Sequence, residues 1–207
     1  FGAILYPGGR VPDGRADIVV VLRGPAEPIL VREKSKIAGS WMNADSARFR
    51  SMPSFYAVAS SRPLSGLVND RTAAIYELGV DNLQLSPSSL EAADEQKRFE
   101  GGLVDLKRRG GFYVENAKGV EITDDVLYRA RIDVPARVPV GKYTAETFLI
   151  QDGRVLAVAV RDIEIDKSGF ERFVAMSAQR HSVLYGLCAV AISLLFGWGA
   201  SILFRRR

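Results

Sequence analysis

KYTAETFLIQDGRVLAVAVRDIEI, residues 142–165, reads as two strands around a tight turn. Asp152-Gly153 supplies two residues that tolerate positive φ, which a two-residue hairpin loop requires. The flanks Lys142–Gln151 and Arg154–Ile165 are rich in Val, Ile, Thr and aromatics, side chains that suit a pleated surface. Towards the N-terminus, Val126–Val134 alternates: Val126, Tyr128, Ala130 and Ile132 point one way, Arg129, Arg131 and Asp133 the other. That is the pattern of a half-buried antiparallel strand.

Further upstream, DIVVVLR (17–23) is a continuous apolar run closed by Gly24-Pro25, the signature of a strand buried on both faces. Ile29–Arg32, Ile37–Asn43, Phe55–Ser60 and Phe112–Glu115 are further strand segments, the middle two split by the polar ADSARFRSMPS (44–54). Between the strands, Asn69–Leu78 has helical character and ends at Gly79, which suits the position after a helix. Ser88-x-x-Glu91 has the form of a capping box before a helix running to about Arg109, with Phe99, Leu103 and Leu106 on one face. Gly101-Gly102 weakens its middle, and Gly110-Gly111 ends it. Strands, a helical insert and more strands predict a mainly β fold: an immunoglobulin-like β-sandwich over residues 1–166, with a helical insert at about 68–110.

The C-terminal end is different. SVLYGLCAVAISLLFGWGASILF (182–204) carries no charge and is followed at once by Arg205, Arg206 and Arg207. About 20 apolar helical residues cross a bilayer core, so this segment predicts one transmembrane helix. The three arginines set its orientation by the positive-inside rule, with the C-terminus cytoplasmic and the larger domain in the periplasm of a bacterial inner membrane. Arg180 and His181 on the other flank make the asymmetry modest. Residues 167–181 form the juxtamembrane link. There FERFVAMSA (170–178) reads either as a short interfacial amphipathic helix or as an early start of the membrane helix. Within the span, Ala189, Ser193, Gly197 and Ser201 recur every four residues, a small-residue stripe of the kind that admits a second helix closely. The chain opens at Phe1 with FGAILYP, which reads as a strand under way; a signal peptide is the expectation for what precedes it.

Formal net charge is +4, and three of the 28 Lys and Arg residues are the terminal arginines. The outer domain is therefore close to neutral and carries no nucleic-acid footprint. The one cysteine, Cys188, lies in the apolar segment and excludes an intrachain disulfide. His181 is the one histidine and borders the span, so neither a His-based catalytic set in the outer domain nor a multi-histidine metal site is available. Asp162, Glu164 and Asp166 lie two apart on a strand. They read as a wet strand face rather than a hard-cation site. Gly8-Gly9 and Gly101-Gly102 lack phosphate-loop spacing. The sequence thus predicts no catalytic residues and no cofactor. Arg48, Arg50, Arg62 and Arg71, near the aromatic-rich 41–56 region, are the candidate anion-binding residues.

IAGSWMN (37–43), FYAVASSRPL (55–64), GFYVE (111–115), VPVGKYTAETFLIQDGRV (138–155) and GFERFV (169–174) together resemble the uncharacterised alphaproteobacterial family of putative transmembrane proteins. The resemblance covers nearly the whole chain. It implies an exported domain with a C-terminal anchor, often encoded beside a sulfite-exporter-like membrane protein, and it carries over no catalytic residue. Trp41, Asn43, Tyr56 and Tyr113 are the family-like positions, expected in core and turn structure. The functional expectation is a non-enzymatic accessory subunit that docks on an integral membrane complex through its transmembrane helix. The alternative is a periplasmic module that passes a small anion, an oxidised sulfur compound, to a neighbouring exporter.

Overall fold

The computed structural model describes residues 1–6, 14, 16–87, 93–166 and 178–205, with the side chains at 184 and 202–205 outside that description. Residues 1–165 and 166–207 form two separate compact units.

The first unit is mainly β, with three sheets. Its strands are β1 (Gly2–Ala3), β2 (Asp17–Arg23), β3 (Ala26–Ile37), β4 (Ser40–Pro53), β5 (Tyr56–Ser60), β6 (Ser86–Pro87), β7 (Tyr113–Asn116), β8 (Val120–Thr123), β9 (Leu127–Ala130), β10 (Gly141–Gln151) and β11 (Arg154–Ile165). Two helices, α1 (Asp70–Ile75) and α2 (Ala93–Arg109), lie between β5 and β7. The central sheet has the order β11-β10-β2-β5-β7. The apolar run of β2 is at its middle and is buried on both faces. Val19 and Val21 point into one core, and Ile18 and Val20 into another. The Asp152-Gly153 turn joins β10 to β11 with φ of 48° and 77°, so both central residues adopt the left-handed conformation their chemistry allows.

Strand β7 runs parallel to β5, with Tyr56 beside Tyr113 and Val58 beside Glu115. Parallel neighbours need a long crossover, and residues 61–112 provide it. The helical insert is therefore the connection that lets β7 join the sheet in this direction. One face of the central sheet meets the small sheet β1-β9-β8 through Ile4, Ile18, Val20, Ala59 and Val120. The chain comes close enough there that a Cβ on Gly119 would stand 2.7 Å from the Ala59 Cβ. The other face is covered by α1, α2 and the third sheet, β3-β4-β6. Phe49, Met52, Tyr56, Leu78, Phe99 and Phe148 share that core.

Several expectations change. Ile37–Asn43 is not one strand. Ala38 and Gly39, with φ of 48° and 86°, turn the chain between β3 and β4. The polar 44–54 stretch is no gap; it makes up most of β4, where Ala47, Phe49 and Met52 are buried and the polar side chains between them are exposed. The Val126–Val134 strand shortens to Leu127–Ala130, although the alternation persists: Tyr128, Ala130 and Ile132 are half-buried and their neighbours exposed. Helix α1 ends before Gly79. Glu77 takes the left-handed position at φ 49°, and Leu78 N donates to Ala73 O at 2.8 Å, which closes the last turn. Leu106 does not share the buried face of α2: Phe99 and Leu103 are buried, and Leu106 is exposed. Trp41 is 69% exposed, because the β3–β4 hairpin runs past the core and carries it at its far end. Asn43 is exposed beside it, whereas Tyr56 and Tyr113 are core residues. The capping box at Ser88–Glu91, most of the 170–178 segment, and Arg206 and Arg207 lie outside the described residues.

The second unit contains helix α3 (Ser182–Arg205), 24 residues long. Among the described residues no helix is long and apolar enough to cross a membrane.

Candidate functional site

The arginines singled out from the sequence do not share one environment. Arg62 donates through Nε and Nη2 to Asp17 Oδ2 at 2.9 and 2.5 Å, and Ser61 Oγ donates to the other carboxylate oxygen at 2.7 Å. Asp17 is 1% exposed, so this charge-assisted pair, with both guanidinium donors converging on one carboxylate oxygen, neutralises a buried charge at the start of the central strand. The Asp17 carboxylate also holds the Arg62 guanidinium above its ordinary pKa. Arg71 lies exposed in the first turn of α1, and Arg48 and Arg50 are exposed on β4. The aromatic region divides too, with Trp41 at the hairpin end and Tyr56 in the core.

Tyr56 organises a polar network where the crossover leaves α1. Its hydroxyl donates to Glu77 O at 2.6 Å and accepts from Gly79 N at 3.1 Å. Arg23 stacks over its ring at 5.8 Å, ion-pairs with Glu77 and lies 3.2 Å from Glu146. Burial pushes the phenols of Tyr56 and Tyr113 well above the usual range. Beside this network is a cleft of 270 Å³ between Leu64 and Glu115. Its charged group is already engaged: Glu115 accepts from Val80 N at 2.5 Å and lies 3.9 Å from Arg108. The network ties the loop after α1 to the central sheet.

Asp162 pairs with Lys142 at 2.9 Å and lies on an exposed edge strand. Among the described residues no cluster of His, Cys, Asp and Glu is arranged to hold a metal. His181 and Cys188 are both exposed.

Exposed surfaces among the described residues include β11, with Leu156, Val158, Val160 and Ile163, and two others of note. The first of those two is α3. Val183, Tyr185, Leu187, Val190, Ile192, Leu194, Leu195, Phe196 and Trp198 are all exposed. At about 100° per residue they cover roughly two-thirds of the circumference, and the uncharged small residues Gly186, Ala189, Ser193, Gly197 and Ala200 fill the rest. Ala189, Ser193, Gly197 and Ser201 fall on one continuous helix and are exposed. Ser193 Oγ donates to Ala189 O at 2.8 Å, so its hydroxyl is satisfied within the helix, and the space around Gly197 is open. Arg205 is the last residue of α3.

The second surface is the outer face of the β3–β4 hairpin. Cross-strand partners share a face, and the pairs here are Leu30–Arg48, Arg32–Ser46, Lys34–Asn43 and Lys36–Trp41. All eight residues are exposed. Arg32, Lys34 and Lys36 were not singled out from the sequence. Their spacing of two in VREKSKI (31–37) was the available signal, hidden while Ile29–Arg32 and Ile37–Asn43 were separate strands.

No curated protein and no solved structure matches the chain. The family model described as "Putative transmembrane protein (Alph_Pro_TM)" matches residues 1–206. Matched along all but its final residue, the chain belongs to this family of putative transmembrane proteins.

Proposed function

We propose that this protein is a non-catalytic accessory subunit held in a bacterial inner membrane by one helix, residues 182–204, with its β domain in the periplasm and its C-terminus in the cytoplasm. The observation that carries the reading is that α3 shows no charged face among its described side chains: large apolar residues cover most of it and small residues the remainder. A surface helix of a globular protein shows one apolar stripe, whereas a helix apolar all round needs a nonpolar medium on every side. The charge-free sequence and the arginines that follow it suit a bilayer, and the family description agrees. The docking partner is a larger membrane complex, met through Ala189, Ser193, Gly197 and Ser201. The satisfied Ser193 hydroxyl and the open space at Gly197 make that face suitable for close helix packing. The immunoglobulin-like reading of the β domain belongs to this proposal and draws on the face-to-face packing of the small and central sheets.

The anion-carrier alternative is less well supported, since Arg62 is committed to Asp17. Carbonate washing of native membranes tests the anchor: the full chain is expected to stay in the pellet, and release into the supernatant would overturn the anchor. Purification in mild detergent tests the docking: migration as a lone monomer would count against it.

A further inference from the structure

The outer face of the β3–β4 hairpin carries Arg32, Lys34, Lys36 and Arg48 with no acidic residue among the paired positions. The nearest acids, Glu33 and Asp45, are a cross-strand pair between the Arg32 and Lys34 pairs, and both meet Arg98 of α2, at 3.2 and 3.8 Å. The hairpin is therefore charge-segregated, with its cations facing away from α2. Its far end is apolar: Trp41, Met42 and Ile37 are 69%, 53% and 49% exposed around the Ala38-Gly39 turn.

We propose that this hairpin is a second membrane contact, docking on an anionic phospholipid surface. Trp41, Met42 and Ile37 enter the headgroup boundary, and Arg32, Lys34, Lys36 and Arg48 face the phosphates. Charge complementarity selects the occupant: a row of cations answers a plane of phosphates. The apolar end selects a bilayer over a soluble polyanion, because an exposed Trp flanked by lysines suits the interfacial zone, where one end is apolar and the other wet. The proposal draws on the anchored reading only for bringing a bilayer within reach.

The chain has two tryptophans, so Trp198→Phe leaves Trp41 as the one indole reporter. The full chain carrying W198F is reconstituted into vesicles of phosphatidylcholine alone or with phosphatidylglycerol, each also made with acyl-brominated lipid, and incorporation is checked by flotation. With phosphatidylglycerol, Trp41 emission shifts to the blue, is quenched by the bromines and is shielded from acrylamide. The K34Q/K36Q variant loses all three effects while its circular dichroism stays that of the parent. Trp41 equally open to acrylamide in both lipids overturns the proposal. So does a Trp41 shielded from acrylamide yet untouched by the bromines, which would mean that protein covers it. Failure to float defeats the anchor alone, and the same readings with phosphatidylglycerol vesicles added to that chain still decide the hairpin.

Discussion

At the scale of single residues, this fold relies on polar groups buried with their partners. Replacing Asp17 by Asn removes the charge from three hydrogen bonds at the edge of the core. Bonds to a charged group are stronger than neutral ones by about 1 kcal/mol each, so D17N is expected to lower unfolding stability by about 3 kcal/mol in denaturant titration. Tyr56 gives a pH signature. Burial raises its phenol above the ordinary value, so the unfolded chain releases this proton first as pH rises. Its contribution is fully present below about pH 10, where a free tyrosine titrates, and drains away above that. Alkaline titration of stability is expected to fall beyond that point, and Y56F, though less stable at neutral pH, is expected to fall less steeply there. A Y56F curve as steep as the parent's would show that the drain lies elsewhere.

At the scale of elements, the hairpin divides into a structural half and an exposed half. Phe49 is fully buried, and truncation to Ala is expected to cost about 3–5 kcal/mol. Trp41→Ala, eight positions away on the same strand, is expected to change stability by about 0.5 kcal/mol or less, since exposed sites away from special features are nearly neutral. The turn offers a gain. Ala38 holds φ 48°, a conformation that costs an L-residue with a Cβ about 1–2 kcal/mol, so A38G or A38N is expected to raise the melting temperature. The same element shows what was legible. The Asp152-Gly153 hairpin was readable because its turn residues declare themselves and its flanks are rich in residues that suit a pleated strand. The Ala38-Gly39 turn was not, because Ala gives no turn signal and apolar residues continue on both sides of it. Trp41 was expected in core or turn structure, and it lies beside the Ala38-Gly39 turn, exposed because the strand there outruns its sheet. The parallel β5–β7 pair was also hidden, since local pattern says nothing about which distant strand becomes a neighbour. Of the candidate arginines, nothing in the local sequence shows that Arg62 faces Asp17 across 45 positions.

At the scale of the whole molecule, exposed surfaces carry the functional reading. Gly197→Leu is expected to leave membrane retention unchanged and to reduce the size of the assembly seen on a native gel, because the bulkier side chain holds a neighbouring helix off. An assembly of unchanged size would remove Gly197 from the contact.

The central strand has a further consequence for how the protein is made. Strand β2 lies between β5, which follows it closely, and β10, whose Phe148 pairs with Val19 from about 130 residues further on, a separation that slows folding. A chain emerging N-terminus first therefore cannot close its sheet until β10 has appeared. Until then one edge of its most apolar strand is unpaired, an invitation to aggregation. Such a nascent chain calls for a chaperone during synthesis, and truncation before Gly141 is expected to give insoluble protein rather than a smaller stable domain.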